Sequence, residues 1–524
     1  MPPPPRRAPS RPVARRVAPA VPALWSAAVG ALFGAFYVAL AAPVWGGKDA
    51  GEFALVLALA GAAHPTGYPL FTLAGHGFVV LLHRLGVSWP YAANLWSAAG
   101  AAVAMALLHA LAARIVPPAA ATGRVGRATL ALIATTIVGL DPAWLLDTMM
   151  AEVYSWHLAW VCAAALIALG SIRALAPGAA PAGEWTSRRL ALAAAGWGLV
   201  CGVGLAHHVT AVLFIVPLSA AIAIAAARGR RWRWWLPVVA LAGALVPLLG
   251  YLFIVYRAWH PAPFQWPVLQ PSVRSVIAHL TGAEYRDLLG RWAPSDVQRD
   301  LFRRAIYPVL FPALAALMVA ALRAHVAAER FAHGGLFAAA VLQTTYGFSY
   351  GVSDPSCYFE PSLAIGVLAV PLLGALLLRR PRLLPAAGVL AGAGLVALGM
   401  AWIPFGFAVR EGTIIIERRV REEWRSLPDD GAIVLWRHDM VPVLRGYQLL
   451  EGEKAGLYVQ DPYALTYEGP RRAFTARFGF DPVAGLEPIT AAKLSLIPEN
   501  INRQTALPVF VFDQSTTRPL AKTP

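Results

Sequence analysis

Apolar runs of about twenty residues recur from Leu24 to Pro404, and they constrain the fold of this chain more than any other feature. Each run is long enough to cross a hydrocarbon core about 30 Å thick as a helix. Only 14% of the 524 residues are charged, whereas soluble domains average about 25%. Because so few charges cannot coat a soluble globule, the chain is predicted to be an α-helical polytopic membrane protein.

We predict about eleven transmembrane helices, and the distribution of charge gives their orientation. The predicted spans lie near 24–44, 91–113, 127–141, 152–172, 189–205, 209–227, 236–256, 304–323, 335–351, 359–378 and 383–404. Arginines gather in the N-terminal tail and then in every second loop, for example at Arg124, Arg173, Arg231 and Arg380. Since short cytoplasmic loops carry the excess of Lys and Arg, we expect a cytoplasmic N-terminus and an extracytoplasmic C-terminus.

The chain divides into three parts. Residues 1–23 are predicted to be a disordered basic cytoplasmic tail, residues 24–404 a transmembrane domain, and residues 405–524 a small extracytoplasmic α/β domain. Two long loops, 45–90 and 257–303, are predicted to lie outside. The first contains apolar stretches too short to span the bilayer, which suit helices that lie along the membrane surface or re-enter it.

The formal charge of +16 would suggest nucleic-acid binding in a soluble protein. Here the basic residues follow the loops and no nucleic-acid-binding motif is visible, so we expect no nucleic-acid partner. Cys162, Cys201 and Cys357 lie in or near apolar segments without metal-ligand spacing, and we interpret them as packing residues. No Walker loop, dinucleotide-binding glycine motif or Ser/His/Asp order stands out, so nucleotide use is not expected.

The most informative motif, Lys-Asp-Ala-Gly-Glu-Phe, directly follows the first span and contains Asp49 and Glu52. On a helical turn these two carboxylates share a face. The loop continues with His-Pro-Thr-Gly-Tyr-Pro, which contains His64 and Tyr68 and whose prolines and glycine fix an irregular backbone. Carboxylates at a membrane rim can be merely solvated charges, but a rigid turn with a histidine and a tyrosine beside two acids favours a functional site.

Further polar residues recur at the outside ends of later spans. They are Glu152, Tyr154, His157, His207, His208, Asp354 and Tyr358. Glu152 could simply favour the helix dipole, His157 could be a satisfied buried histidine, and Asp354 could belong to an ordinary turn. His207 and His208 could hold a phosphate or a metal; because adjacent helical residues rarely bind one metal together, we favour a hydrogen-bonding or anion-binding role.

The large loop at 257–303 adds basic and aromatic residues, namely Arg257, Trp266, Tyr285 and Arg286. Trp and Arg at this depth usually anchor a protein at the membrane interface. Arg257 and Arg286 could equally clamp a lipid phosphate, because the guanidinium fork matches phosphate geometry.

Together these motifs resemble the signature of a GT-C glycosyltransferase family that includes a protein O-mannosyltransferase. Its Asp-Ser-Gly-Glu and His-Pro-Pro-Gly-Tyr-Pro motifs are matched by Asp49–Glu52 and His64–Pro69, with Ala50 and Thr66 in place of the commoner Ser and Pro. Later blocks match in the same order at 151–154, 207–208, 281–285 and 354–361. Both departures leave the acids, the histidine and the tyrosine in place.

The resemblance implies a GT-C-like fold and a hexosyltransferase, such as a mannosyltransferase, that moves a sugar from a polyprenyl-phosphate donor to a protein or glycan acceptor at the membrane lipid surface. It makes Asp49 the candidate general base and Glu52 an assisting group. The candidates to face the departing phosphate are His64, His207, His208 and Arg257. No cofactor is obligatory for this chemistry, although Asp49, Glu52 and Glu152 could bind a divalent metal.

Two other classes of function remain open from the residues alone. A transporter or lipid flippase would place ionisable residues at mid-membrane within internal repeats, whereas here they cluster at one rim and no repeat is visible. A non-catalytic assembly protein would use the outer domain to recruit partners, and the acids of the first loop argue weakly against it. High Ala, Arg and Pro usage is typical of bacteria, so we expect a bacterial plasma membrane.

Overall fold

Helices α1–α18 build the membrane part and its connecting segments. In the computed structural model the described residues are 21–117, 123–178, 185–266, 268–436, 438–513 and 516–520, so most of the predicted tail at 1–23 lies outside the described residues. The bounds are α1 (Ala23–Leu40), α2 (Lys48–Leu59), α3 (Pro69–Arg84), α4 (Trp89–Ile115), α5 (Arg124–Gly139), α6 (Pro142–Met149), α7 (Tyr154–Leu175), α8 (Ser187–His207), α9 (Val212–Arg228), α10 (Leu236–Leu248), α11 (Leu252–Trp259), α12 (Val273–Leu280), α13 (Asp296–Leu301), α14 (Tyr307–Arg323), α15 (Ala327–Ser349), α16 (Glu360–Gly366), α17 (Ala369–Leu377) and α18 (Leu384–Ser426).

Nine helical segments within the described ranges are long and apolar enough to cross a membrane, and a tenth span arises if the bent pair α5 and α6 is one span. The polytopic membrane class is therefore confirmed, with nine or ten spans in place of the eleven predicted. The predicted span at 335–351 lies mostly on α15, a 23-residue helix that is not apolar enough to be counted among these segments. The polar residues His333 and Gln343 lower the mean hydropathy of this helix.

Helices α2 and α3 occupy the first long loop, where the sequence predicts surface or re-entrant helices. Helix α2 has 12 residues, and a helix about 18 Å long is too short to span the bilayer. Its residues from Ala50 to Ala58 are all buried, because it packs between α3, α4 and the C-terminal domain. The first motif thus begins a buried helix at one end of the bundle.

Asn94 on α4 ties the loop after α1 to the segment before α7. Its side-chain amide donates to the carbonyl oxygens of Ala42 at 2.6 Å and Val44 at 3.2 Å. Its Oδ1 accepts from the backbone N of Ala151 at 2.9 Å. Because an amide side chain can donate and accept at once, one buried residue fixes both segments that carry predicted site residues.

A small α/β domain follows the bundle, as predicted. Its elements are β1 (Ile433–Leu435), α19 (Val441–Leu449), β2 (Tyr458–Gln460), α20 (Glu468–Phe478), α21 (Ala491–Leu494), α22 (Ile497–Gln504), β3 (Val509–Asp513) and β4 (Thr516–Pro519). The strand order is β2-β1-β3-β4; β1 is parallel to β2 and β3, and β4 is antiparallel to β3. Helix α18 continues to Ser426 as one 43-residue helix, so the domain begins after this helix and not at 405.

Charge-assisted hydrogen bonds join the C-terminal domain to the bundle. Trp45, in the loop after α1, donates from Nε1 to Glu451 at 2.9 Å. Trp424 on α18 donates from Nε1 to Glu453 at 2.8 Å. Arg421 donates to both glutamates, at 2.6 Å and 3.0 Å. Since hydrogen bonds to ionised groups are the stronger ones, the domain is fixed beside the loop that leads into α2.

Candidate active site

The first turn of α2 and the loop after it form the centre of the candidate site. Glu52 is 4% exposed, and its Oε1 accepts from the backbone N of His64 at 2.7 Å and from His64 Nδ1 at 3.0 Å. His64 Nε2 lies 3.2 Å from the Tyr68 hydroxyl. Phe53 packs against both rings, with centroids 5.1 Å and 5.6 Å away. Side chains from the two predicted motifs thus hold one another in a single arrangement.

His64 carries a positive charge at neutral pH. Burial alone would lower its pKa, but the neighbouring Glu52 carboxylate and, after it, Asp49 outweigh burial and raise the pKa to about 9. A buried imidazolium therefore lies beside the acid that the sequence predicts to be the base.

A first cavity, which we call the acidic cavity, lies between the bundle and the C-terminal domain and has a volume of about 660 Å³. We define it by six of its charged lining residues: Lys48, Asp49, Asp147, Glu152, Asp354 and Asp439. Lys48 Nζ donates to Asp354 at 3.0 Å, so the cation of this group is already paired. Carboxyl groups therefore dominate the lining of the acidic cavity.

A second cavity, which we call the aromatic cavity, has a volume of about 360 Å³. We define it by His64, Tyr68, His208, Tyr285, Arg286 and Tyr350. The rings of Tyr68 and His208 have centroids 5.4 Å apart, and those of His64 and Tyr285 are 6.4 Å apart. Ring N–H, hydroxyl and guanidinium groups all donate hydrogen bonds, so this lining suits an oxyanion.

The two cavities meet at Asp49, Tyr154 and Tyr358, each of which lines both. The Tyr154 hydroxyl donates to the Tyr358 hydroxyl at 3.3 Å. Asp49 and these two tyrosines therefore form part of the boundary between the two cavities.

Glu152 lines the acidic cavity from a buried position. Ser97 fixes its backbone, because the Ser97 hydroxyl donates to the Glu152 carbonyl at 2.9 Å and accepts from the Glu152 N at 2.8 Å. Burial, and after it the charge of Asp49 and other carboxylates, raise the pKa of Glu152 well above its ordinary value. Its Oε2 is buried without a hydrogen-bond partner among the described residues. These surroundings therefore favour the neutral carboxylic acid of Glu152 over its carboxylate.

Three histidines lie beside or behind the aromatic cavity. The Nε2 of His207 donates to a backbone carbonyl at 3.2 Å. The Thr210 hydroxyl lies 3.2 Å from the Nε2 of His157 and 2.7 Å from the Nδ1 of His208. His208 lines the cavity; burial, followed by the charges of His207 and His64, lowers its pKa to about 3, so its imidazole is neutral.

Some predicted residues stand away from the cavities. Arg257 on α11 lies over the rings of Phe253 and Tyr256, each 5.4 Å from its guanidinium carbon. Trp266 packs against the apolar core around α2. As the structure describes them, neither residue lines either cavity. Glu52, His157 and His207 also stand behind the lining, where they contact its residues or supporting backbone.

Other residues line the cavities although the sequence did not single them out as site residues. Asp147 lies on α6, and its only signal in the sequence was its position five residues before Glu152. Asp439 lies in the C-terminal domain, and no motif links it to the first loop. Tyr350 follows α15, in an aromatic-rich stretch with Tyr346, which also lines the aromatic cavity.

Asp49, Glu52 and His64 could together hold a metal ion, because one ligand atom from each lies within 4.8 Å of the others. However, His64 Nδ1 already donates to Glu52, and a metal would have to displace that hydrogen bond. Glu152, the third acid predicted to bind a metal, is not part of this group in the described part of the chain.

Comparison with known proteins places this site in a family context. Residues 49–231 match the family model described as the protein O-mannosyl-transferase TMEM260 N-terminal domain. Protein O-mannosyl-transferase tmem260 from Dictyostelium discoideum is 24% identical over 253 residues, which make up 47% of this chain and 29% of that protein. The chain therefore aligns with less than a third of the length of this relative.

A solved structure extends the likeness over most of the chain. Crystalline ArnT from Cupriavidus metallidurans, bound to undecaprenyl phosphate, matches with a TM-score of 0.50 and 13% identity, covering 87% of this chain and 90% of that chain. At this identity the likeness shows the fold. The predicted resemblance to an O-mannosyltransferase-like family and the GT-C-like fold are confirmed, and the matched region at 49–231 contains both motifs of the first loop and the paired histidines.

Proposed function

We propose that this protein is a membrane glycosyltransferase, because residues 49–231 match the model of the O-mannosyl-transferase TMEM260 N-terminal domain and the chain shares its fold with ArnT. It moves a sugar from a polyprenyl-phosphate donor to a hydroxyl group of a protein or glycan acceptor. The observation that carries the proposal is the position of Asp49, which lines both the acidic and the aromatic cavity.

Asp49 acts as the general base at the junction of the cavities. The acceptor hydroxyl enters from the acidic cavity and gives its proton to the Asp49 carboxylate. The acceptor oxygen forms a bond to the anomeric carbon, the bond from that carbon to the phosphate oxygen breaks, and the polyprenyl phosphate leaves with the bonding electrons. Each proton and electron pair is thus accounted for without a further reactant.

The aromatic cavity holds the phosphate of the donor. The His64 imidazolium and the Arg286 guanidinium face the negative charge that grows on the leaving group, which is the kind of charge stabilisation that lowers such barriers. ArnT, which shares the fold, binds undecaprenyl phosphate, and this supports a lipid-linked phosphate as the ligand here.

The transfer needs no metal ion. The cation beside Asp49 is already present as His64, whose Nδ1 donates to Glu52 at 3.0 Å. Because a single phosphate leaves, one imidazolium and one guanidinium can match its charge. A divalent metal at Asp49, Glu52 and His64 remains the second option, and activity measured with and without a chelator separates the two.

The active site faces the side opposite to the cytoplasm. Asp49 follows α1 directly, so a cytoplasmic N-terminus puts it outside whatever the number of later spans. The C-terminal domain packs beside α2, at the same end of the bundle, which favours an odd number of spans. A reporter fused after Pro524 should be active only outside the cytoplasm, and cytoplasmic activity would contradict this orientation.

Asp49→Asn tests the proposal, because asparagine keeps the size of the side chain and removes its basicity. The variant should insert and fold normally but lose transfer from a radiolabelled polyprenyl-phosphate sugar by at least about a hundredfold. Asp429→Asn is the matched control, since Asp429 has a side chain 95% exposed and lies in neither cavity. Undiminished transfer by Asp49→Asn would exclude Asp49 as the base.

A further inference from the structure

Thr210, in the turn between α8 and α9, connects two buried histidines. Its hydroxyl lies 2.7 Å from His208 Nδ1 and 3.2 Å from His157 Nε2. Its backbone N donates to the same His208 Nδ1 at 3.3 Å. Thr210, His157 and His208 are 4%, 2% and 4% exposed, so these contacts form a chain of hydrogen bonds shielded from water.

The backbone N–H indicates the direction of this chain, and the shorter hydroxyl contact supplies most of its strength. Because a backbone N–H can only donate, the Nδ1 of His208 must be an acceptor and carries no proton. The Thr210 hydroxyl then donates its own proton to that nitrogen, and its oxygen is left to accept from the Nε2–H of His157. The remaining nitrogen of His157, Nδ1, has no partner among the described residues; here it is an unpaired acceptor, which buried sites tolerate better than an unpaired donor.

The proton of His208 is therefore on Nε2, the ring nitrogen that Thr210 leaves free. The ring lines the aromatic cavity, with centroids 5.4 Å from Tyr68 and 5.8 Å from Tyr154. A neutral ring can present one N–H there without a counter-ion, whereas a second buried imidazolium would need its own carboxylate.

We propose that Thr210 and His157 are positioning residues that hold His208 as a neutral Nε2–H donor to an oxyanion in the aromatic cavity. The inference rests on the proposed function for the identity of this oxyanion, the phosphate of the lipid-linked donor. His64 and His208 then divide the work, because His64 supplies charge and His208 supplies a directed hydrogen bond. His157 and Thr210 do not touch the ligand but set the tautomer of the residue that does.

The tautomer can be measured without any substrate. Protein labelled with ¹⁵N at histidine is placed in lipid nanodiscs, and the His208 signals are assigned by their loss in His208→Gln. The wild type should show a bare Nδ1 and a protonated Nε2 at neutral pH, and Thr210→Ser should show the same pattern. Thr210→Val keeps the backbone contact at 3.3 Å but loses the hydroxyl contact at 2.7 Å, so the preference for this tautomer should weaken and a mixture should appear. A protonated Nδ1 in the wild type, or an unchanged pattern in Thr210→Val, would overturn the inference.

Binding of undecaprenyl phosphate tests the ligand. Thr210→Val should weaken its binding about tenfold to a hundredfold, as expected for the loss of one hydrogen bond to a charged group, and Thr210→Ser should rescue it. Thr135→Val is the matched control, because the buried Thr135 hydroxyl donates only to the Ala131 carbonyl within α5, at 2.8 Å. The donor KM should rise more than kcat falls.

Two results would contradict the ligand assignment in different ways. If Thr135→Val and Thr210→Val weaken binding equally, the loss of any buried hydroxyl has this effect, and the proposed role of Thr210 is wrong. If the wild type has the expected tautomer but binds no undecaprenyl phosphate, the donor of the proposed function is wrong, while the hydrogen-bond chain that fixes His208 stands.

Discussion

The acidic cavity and the aromatic cavity share Asp49 but differ in how their charges are satisfied. In the acidic cavity Lys48 is paired with Asp354, and further carboxyl groups surround the pair. In the aromatic cavity His64 is held as a cation from behind by Glu52, and hydroxyl groups surround it. One lining offers acceptors to a hydroxyl, and the other offers donors to an oxyanion.

The two cavities also differ in where their residues come from. The aromatic cavity draws on short motifs of the bundle and on the loop before α13. The acidic cavity takes part of its wall from the C-terminal domain, through Asp439 and Met440. Under the proposed function, the donor phosphate meets a lining built by the bundle and its loops, whereas the acceptor meets a surface that the C-terminal domain completes.

Among substitutions in the aromatic cavity, removing the charge of His64 should reduce sugar transfer most. His64→Gln removes the positive charge beside the leaving phosphate and leaves Glu52 buried without its cation. We expect kcat/KM for the lipid-linked donor to fall by about 10²–10³, as for the loss of a donor that stabilises a developing oxyanion. Steady-state transfer at varied donor concentration measures it.

The matched control for this prediction is His76→Gln. His76 lies on α3, bonds through Nδ1 to the Leu57 carbonyl at 2.8 Å and lines neither cavity in the described structure. If both variants lose activity equally, the effect reflects a weakened fold and the charge of His64 has no special role.

The pH dependence of donor use should report the same cation. The pKa of His64 is raised from 6.5 to about 9, so the imidazolium persists through neutral pH and is lost as the pH rises through about 9. Above that value kcat/KM for the donor should fall by up to about tenfold per pH unit. The groups around the ring include Glu52, Asp49, His208 and Tyr285.

Glu52→Gln sharpens this prediction. Glutamine keeps a hydrogen bond to His64 but removes the carboxylate that does most to raise its pKa. The alkaline limb of the profile should therefore move to lower pH. If the alkaline limb stays at the same pH in Glu52→Gln, the limb reports the titration of a group other than His64.

The sequence predicted the centre of the site because two short motifs carry it. Asp49, Glu52, His64 and Tyr68 lie within 20 positions of one another, and rigid turn residues between them leave few arrangements. The paired histidines were also visible, but not their separate roles, because the tautomer of His208 depends on the contact with Thr210.

The acidic wall was only partly visible in the sequence. Asp439 reaches the cavity because the C-terminal domain packs against α2, and no local pattern encodes that docking. Arg257 was a candidate phosphate ligand, yet its guanidinium lies over the rings of Phe253 and Tyr256. Trp266 was a candidate binding residue, yet it packs against the core around α2. Hydropathy also predicted eleven spans. Helix α15 is too polar to be counted as one, and its polar side chains include buried ones where it packs on neighbouring helices.

The link between the C-terminal domain and the acidic cavity should have a moderate effect. Trp45→Phe removes the hydrogen bond to Glu451 in the loop that leads to Asp49. The free energy of unfolding should fall by about 1.5–3 kcal/mol, as for a hydrogen bond to a charged group. Because the base would be less well positioned, kcat should also fall by roughly threefold to tenfold.

Trp424→Phe is the matched control for this variant. It removes an equivalent indole bond, to Glu453 at 2.8 Å, but on α18 and away from the first loop. Thermal unfolding and kcat are measured for both proteins. We expect both variants to lose stability to a similar extent and only Trp45→Phe to lose kcat. Equal kcat values for the two variants would show that the domain does not position Asp49.

Glu152→Gln should reduce transfer least, and it tests whether Glu152 and Asp49, which line the same cavity, have different roles. Burial and neighbouring carboxylates raise the pKa of Glu152 well above its ordinary value and favour its neutral form. A neutral amide of the same size should therefore replace it with less than about fivefold loss of transfer. Glu152→Ala, which removes the hydrogen-bonding group, should cost more. If Glu152→Gln instead abolishes transfer, as is expected of Asp49→Asn, transfer requires the carboxylate of Glu152 as well. The assignment of one base and one neutral acid to the acidic cavity would then be wrong.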